Sequence, residues 1–159
     1  MSKNKTYQAG RHFLQIPGPS NVPDRGLRAI AQPTIDHRGP EFATLTLSIL
    51  DKLRVVFNTE SPIFIYPASG TGGWESSLLN TLCPGDKVLA FETGHFATLW
   101  KNVATKLGLE VSWVEGDWRQ GIDAAVVQQH LLEDQSHIIK AVLAVHTETS
   151  SGATSDIAK

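Results

Sequence analysis

The sequence predicts an α/β fold in which a mostly parallel sheet carries helices on both faces. From residue 63 onwards, short apolar runs alternate with stretches that have helical spacing. Alternation of this kind places parallel strands side by side and covers them with the intervening helices. The composition, 41% hydrophobic and 19% charged over 159 residues, is typical of a globular protein with enough apolar material for a core.

The N-terminal region precedes this alternation. A Pro-Gly-Pro-Ser turn at 17–20 predicts a loop, and Ser20 or Asn21 is placed to cap a short helix with Pro23 in its first turn. From Pro40 onwards, apolar side chains recur at helical spacing, which predicts one long amphipathic helix that ends near Asn58. The positions that form this stripe are Phe42, Leu45, Ile49, Leu53 and Val56.

Apolar runs and stop signals define the remaining elements. The predicted parallel strands are the runs at 63–66, 88–91, 111–114 and 138–145. The predicted helices lie at 74–82, 96–107 and 123–133. Gly108 stands where the second helix must stop, and Asp123 is the N-cap of the third. Thr154-Ser155-Asp156 is similar to the start of a further helix that the remaining residues do not complete, so we expect a fragment of a longer protein.

Charge and hydropathy exclude several classes of partner. The 14 basic and 16 acidic side chains leave a formal charge of −2, which indicates neither nucleic acid nor an anionic membrane. The polar start at 1–7 is not followed by the apolar run of a signal peptide, and no segment reaches the roughly 20 apolar residues of a membrane span. We therefore expect an intracellular protein that does not contact a membrane.

The glycine-rich segment Ser69-Gly70-Thr71-Gly72-Gly73 indicates an anion site. A helix start has about four backbone N–H groups without partners and a partial positive charge, and glycines let the backbone approach an anion closely. Neither common nucleotide motif fits: no lysine follows the glycines as in a P-loop, and Glu75 stands where a dinucleotide motif needs a small residue. The segment alone leaves open a phosphate site and a connection that binds nothing.

Two further loops follow apolar runs and carry polar residues, at 92–96 (Glu-Thr-Gly-His-Phe) and 146–152 (His-Thr-Glu-Thr-Ser-Ser-Gly). Ligands of open α/β sheets bind at the carboxyl ends of strands, so these loops should meet the glycine-rich segment. With Ile16-Pro-Gly-Pro-Ser-Asn21 and Asp36-His-Arg-Gly-Pro-Glu-Phe42 upstream, the set resembles the class V aminotransferases of pyridoxal phosphate (PLP) fold type I. Within that family it is similar to the serine-glyoxylate and alanine-glyoxylate branch, from about Phe13 to the last residue.

The resemblance implies PLP as cofactor and assigns it residue by residue. The phosphate would be bound by Ser69, Gly70 and Thr71, and the pyridine ring would stack on Phe96. The hydroxyl of Thr149 would reach the ring oxygen of the cofactor, and Gly18 would lie in the loop beside the substrate. Plain alternatives are that Phe96 is a core aromatic and that Thr149 hydrogen-bonds within its own loop.

The resemblance also implies a reaction, the transfer of an amino group from serine or alanine to glyoxylate, which gives glycine. The partners would be a small amino acid, a 2-oxo acid and a second copy of the chain in a homodimer. Residues 1–22 would form an N-terminal arm with the substrate-side loop, and 23–159 an incomplete large PLP-binding domain. The compartment would be the cytoplasm, or the peroxisome in a eukaryote.

Two groups that transamination requires have no match in the sequence. These are the lysine that forms the Schiff base and the aspartate that keeps the pyridine nitrogen protonated. Lys159 follows Asp-Ile-Ala, which is not the family's lysine context. We therefore expect no catalytic residue in this chain and no turnover by it alone. The alternative is a non-catalytic remnant that binds a phosphate-bearing ligand or a partner chain.

Other polar residues of the loops are assigned no chemistry. His37, His95 and His146 lack a repeated metal-ligand spacing, so no metal site is predicted. The carboxylates of the same loops are expected to be solvated and to have no catalytic role. These carboxylates belong to Asp36, Glu41, Glu92 and Glu148.

Overall fold

The computed structural model describes residues 13–158. Residues 1–12, the first part of the predicted arm, and Lys159 lie outside this range. The chain forms two compact units that divide between Ile65 and Tyr66. The predicted division at residue 22 into an arm and a partial large domain stays a prediction. Among the described residues, no helix is both long and apolar enough to cross a bilayer.

The first unit contains two helices, α1 (Asp24–Ile30) and α2 (Pro40–Phe57). The predicted cap of α1 is wrong: Pro23 takes the N-cap position, and the Asn21 side chain instead accepts a hydrogen bond from Leu14 N at 2.7 Å. The predicted extent of α2 is confirmed, because Pro40 opens it and Asn58 ends it in a left-handed conformation with φ of 48°.

The second unit is a three-stranded parallel sheet with helices. Its strands are β1 (Lys87–Phe91), β2 (Glu110–Val114) and β3 (Ile139–Leu143), in the order β2-β1-β3. Its helices are α3 (Gly70–Thr81), α4 (His95–Lys106) and α5 (Ala124–Glu133). Each crossover between parallel strands passes through a helix, as this connection requires. The predicted α/β class with a parallel sheet is therefore confirmed.

One predicted strand, 63–66, is wrong. This segment has no strand pairing in the described part of the chain, and Phe64, Ile65 and Tyr66 are all more than 60% exposed. An apolar run becomes a strand only where a neighbouring strand satisfies its backbone and another layer covers its side chains. Hydropathy alone cannot reveal whether that neighbour exists.

The core lies on both faces of the sheet. On one face Val88, Ala90 and Leu143 pack with Leu78 of α3 and Ala104 of α4. Side chains alternate along a strand, so Leu89 and its register partner Val142 face the other way, and Val142 lines a groove together with α5. Helices α3 and α4 thus cover one face of the sheet, and α5 borders the groove on the other, as predicted.

Two predicted helix boundaries, the end of α4 and the start of α5, are confirmed, and each is determined by a single residue. Gly108, with φ of 81°, follows α4, and the side chain of Asp123 accepts a hydrogen bond from Ala125 N at 2.9 Å as the N-cap of α5. Helix α3 begins at Gly70 rather than at Trp74. The glycine-rich segment is thus the first turn of the helix and not a loop before it.

Candidate functional site

The carboxyl ends of β1 and β3 bring the predicted loops together. Ala90 and Leu143 are register partners, so the segments that follow them leave the same edge of the sheet side by side. The hydroxyl of Ser151 donates to the backbone oxygen of Thr93 at 3.1 Å, which joins the two loops directly. The predicted meeting of these loops is confirmed.

A cleft of about 560 Å³ opens at this edge. Its lining comes from α3, α4 and the segment after β3, and consists of Ser69, Gly70, Thr71, Trp74, Phe96, Trp100, Ala144, Val145, His146, Thr147 and Thr149. Every residue predicted for the cofactor's phosphate, ring and ring oxygen therefore faces one cavity. Gly18 belongs to the first unit, and its predicted place beside the substrate stays a prediction.

The start of α3 offers backbone donors to this cleft. Ser69 is the N-cap but makes no side-chain cap hydrogen bond, and Gly72 N already donates to Ser69 O at 3.0 Å. The N–H groups of Gly70 and Thr71 come before the first bonded turn and have no partner among the described residues. This turn can bind an anion through two amides and the hydroxyls of Ser69 and Thr71.

Gly70 and Gly72 of this turn differ in the space around them. A Cβ at Gly72 would meet the Cβ of Ala68 at 2.6 Å, so Gly72 is required by packing. A Cβ at Gly70 would have no atom within 4 Å. Packing within the protein therefore does not require glycine at position 70. The open space beside it leaves room for a ligand at the helix start.

Two tryptophans, which sequence reasoning missed, form a wall of the cleft with Phe96. Trp74 stacks on Trp100 with centroids 5.6 Å apart and planes at 19°, and it meets Phe96 edge-on at 6.2 Å. Phe96 is half-buried and is not part of the buried core, in contrast to the alternative of a core aromatic. The available signal was the position of Trp74 directly after the glycines.

Glu148 is a second residue that sequence reasoning misjudged. The expectation of a solvated carboxylate is wrong, because Glu148 is fully buried at 0% exposure. Its carboxylate accepts hydrogen bonds from Phe96 N at 3.2 Å, Ala97 N at 3.0 Å and Ser150 N at 3.0 Å. The Ser150 hydroxyl donates to it at 2.7 Å and accepts from His95 N at 2.9 Å. Together these two side chains cap the first turn of α4.

The surroundings of Glu148 favour its charged form. Burial raises the pKa of this carboxyl, but the hydrogen bonds from Ser150, Ala97 and Phe96 outweigh burial and hold the pKa below its ordinary value. The start of α4 adds the positive end of a helix dipole. A carboxylate is therefore the stable species at this position.

The hydroxyl of Thr149 is exposed beside this cap. It has no hydrogen-bond partner among the described residues, so the alternative that it bonds within its own loop is not seen. The loop is held instead by Glu148 and Ser150 on either side, and by Gly152 N, which donates to Glu148 O at 2.7 Å. The Thr149 hydroxyl is thus available to a ligand in the cleft.

The remaining loop residues show ordinary structural roles. Glu92, also expected to be solvated, is partly buried and accepts a hydrogen bond from Trp118 Nε1 at 2.9 Å. Asp36 accepts from Arg38 N at 2.9 Å and closes a local turn. Within residues 13–158, no three His, Cys, Asp or Glu side chains are grouped so that they could hold a metal ion.

Comparison with known proteins matches this arrangement to one family. The model of the family described as Aminotransferase class-V matches residues 26–159. The chain belongs to the class-V aminotransferases. It is 46% identical over 153 residues to the serine–glyoxylate aminotransferase of Methylorubrum extorquens, and 43% identical over 144 residues to the L-aspartate–glyoxylate aminotransferase of Paracoccus denitrificans.

The structural comparison agrees with the sequence. The crystal structure of alanine–glyoxylate aminotransferase from Nostoc sp. superposes with a TM-score of 0.79 at 28% identity. The match covers 96% of this chain and 40% of that one. The Methylorubrum and Paracoccus relatives are covered over 38% and 36% of their lengths, against 96% and 90% of this chain. This class-V aminotransferase chain therefore spans well under half the length of the relatives it matches.

Proposed function

We propose that this chain is the part of a glyoxylate aminotransferase that binds the phosphate and the ring of PLP. The observation that carries the proposal is the single cleft shared by Ser69, Phe96 and Thr149. These residues come from three elements far apart in sequence, and each offers a different contact that PLP requires. Membership of the class-V aminotransferases supports the same cofactor.

Each part of the cleft has a place in this proposal. The amides of Gly70 and Thr71 and the hydroxyl of Ser69 bind the phosphate at the positive end of α3. Phe96 lies against one face of the ring, backed by Trp74. The Thr149 hydroxyl donates to the ring oxygen, and Gly18 lies in the loop beside the substrate. When bound, PLP supplies the electron-withdrawing ring and the carbonyl through which amino groups are exchanged.

The proposed reaction takes its acceptor from what the relatives share. The three relatives described above are all named for glyoxylate, whereas the donor differs: serine in one, aspartate in another and alanine in a third. We assign glyoxylate as acceptor, serine or alanine as donor and glycine as product. The complete protein would act as a homodimer in the cytoplasm.

The cleft contains no lysine among its lining residues. The amine that would bond to the cofactor and move the proton is thus not supplied by this surface, and the 159-residue chain alone is expected not to transaminate. We expect PLP to bind only weakly, and without a covalent bond to a lysine, because part of the cofactor's contacts would come from residues beyond this chain. Borohydride reduction of the PLP-treated chain followed by peptide mass spectrometry should show no stoichiometric label.

A fluorescence titration tests cofactor binding. PLP should quench the emission of Trp74 and Trp100 saturably, and Phe96→Ala should weaken binding because the ring loses stacking of about 0.5–1.5 kcal/mol beyond the buried area. Phe64→Ala is the matched control, since Phe64 is 74% exposed and does not line the cleft. Equal PLP affinity in the two variants would contradict the assignment.

A chimera tests the reaction. The chain is joined at residue 159 to the remainder of the Methylorubrum serine–glyoxylate aminotransferase, to which it is 46% identical. The chimera should form glycine from serine and glyoxylate, and Phe96→Ala in the chimera should reduce kcat/KM. A folded chimera that binds PLP but gives no glycine would favour the alternative, a non-catalytic ligand-binding remnant.

A further inference from the structure

We propose that Glu148 is a positioning residue that holds the ring-stacking side and the hydroxyl side of the cleft at a fixed separation. The inference rests on the proposed function, because Phe96 and Thr149 are the groups it positions. Glu148 does not line the cleft, because its side chain is fully buried behind the cleft wall. Glu148 acts through its hydrogen bonds to the backbone at the start of α4 and to the backbone of Ser150.

On the ring side, Glu148 controls where α4 begins. Phe96 and Ala97 are the second and third residues of α4, and their N–H groups donate to different oxygens of the Glu148 carboxylate, Oε1 and Oε2. The N-cap position is Gly94, whose lack of a side chain means that no local group can cap the helix. The backbone that carries the Phe96 ring is therefore anchored by a residue about fifty positions later in the chain.

On the hydroxyl side, Glu148 fixes the backbone on both sides of Thr149. Ser150 donates to the carboxylate through its N–H and its hydroxyl, and that hydroxyl in turn accepts from His95 N. Thr149 thus lies between two residues that are both bound to the start of α4. Its own hydroxyl faces the cleft, while the residues on both sides of it are hydrogen-bonded to the helix start that carries Phe96.

Gly94 packs so closely against Glu148 and Ser150 that a side chain at this position would not fit. A Cβ at Gly94 would lie 2.6 Å from Glu148 Cδ and 2.7 Å from Ser150 Oγ. A carboxylate presents two acceptor oxygens to four donors here. A glutamine of the same shape has one oxygen, and its NH₂ group would face an N–H donor. The charge state, and not only the volume, therefore determines the positioning.

The test compares PLP binding in three variants of the whole chain. Glu148→Gln should weaken PLP binding about tenfold, about 1.4 kcal/mol, because Phe96 and Thr149 would then lie out of place, and should shift the NMR signals of the Phe96 and Ala97 amides. Asp123→Ala is the matched control: it removes the cap of α5, which does not line the cleft, and should leave PLP affinity and these amide signals unchanged. Ser150→Ala removes one donor to Glu148 and should weaken PLP binding by a smaller factor, which keeps the test available if Glu148→Gln does not fold.

The outcomes separate this inference from the proposed function. If the unmodified chain binds no PLP, the proposed function fails and the inference fails with it. If the unmodified chain binds PLP and folded Glu148→Gln or Ser150→Ala binds it equally well, the positioning role alone is overturned. Weaker binding by Glu148→Gln with Asp123→Ala unchanged supports the positioning role over a general loss of stability.

Discussion

Glu148 caps the helix that carries Phe96: its Oε1 accepts the Phe96 amide at 3.2 Å, although 52 residues separate the two. The contact joins the segment after β3 to the start of α4 and replaces the local cap that Gly94 cannot provide. Burial of the carboxylate makes each of its hydrogen bonds costly to lose. The geometry of the cleft thus depends on a residue that does not line it.

Gly94→Ala should destabilise the chain. The new Cβ would overlap the Glu148 side chain and crowd Ser150 Oγ at 2.7 Å, which forces the capping loop away from α4. We expect a loss of about 1–3 kcal/mol in the free energy of unfolding, the usual range for overpacking. Urea unfolding followed by circular dichroism measures it.

Gly73→Ala is the control for that substitution. Gly73 lies within α3, and a Cβ there would meet no atom within 4 Å. Alanine should therefore raise the free energy of unfolding by about 0.5–1 kcal/mol, because glycine is the poorer helix former. If both variants changed stability in the same direction, the steric account of Gly94 would be wrong.

The helix boundaries that sequence predicted correctly are those with local physical causes. Periodic apolar side chains placed α2, and Gly108 and Asp123 set the ends of α4 and α5 through their own backbone or side chain. The segment 63–66 and Glu148 were misjudged because their environments depend on distant residues. A strand needs a neighbour, and a buried carboxylate needs donors that only the fold brings near.

The cleft was predictable for a different reason. Parallel strands expose their carboxyl ends at one edge, so the loops with Phe96 and Thr149 had to meet there once β1 and β3 were recognised. The stacking of Trp74 on Trp100 was not predictable, because helical spacing does not tell which helix faces which. That contact depends on how α3 and α4 pack.

Ser69→Ala should separate ligand binding from stability. The Ser69 side chain makes no cap hydrogen bond in the structure, so its loss should change the free energy of unfolding by less than about 0.5 kcal/mol. If its hydroxyl donates to the phosphate of PLP, that bond is worth about 1.5–3 kcal/mol. PLP affinity, measured by fluorescence quenching, should then fall about tenfold or more.

Asp123→Ala gives the opposite pattern and serves as the control for Ser69. Its carboxylate does cap a helix, with Ala125 N donating at 2.9 Å, so stability should fall by about 1 kcal/mol. PLP affinity should not change, since Asp123 does not line the cleft. Loss of stability without loss of affinity in Ser69→Ala would contradict the proposed phosphate site.

The pH dependence of stability should reveal the Glu148 carboxylate. Burial raises its pKa, but the hydrogen bonds from Ser150, Ala97 and Phe96 hold it below the ordinary value of 4.5. Well above pH 4.5 the group is ionised in folded and unfolded chains alike, so its contribution is fully present. As the pH falls through 4.5 towards the lower folded pKa, the unfolded chain takes up the proton first and the contribution is lost.

Urea unfolding of the unmodified chain and of Glu148→Gln across this range isolates that one group, because other carboxylates titrate in both proteins. The difference in free energy of unfolding should be constant above pH 4.5 and should shrink below it. Asp134→Asn is the comparison. Hydrogen bonds led by that from Ile139 N lower the Asp134 pKa from 3.8 in the folded chain, and because this ordinary value lies below the 4.5 of Glu148, the Asp134 difference should begin to shrink at lower pH. A Glu148 difference that does not change with acidification would show that folding leaves the pKa of this carboxyl unchanged, which would contradict a cap that depends on its charge.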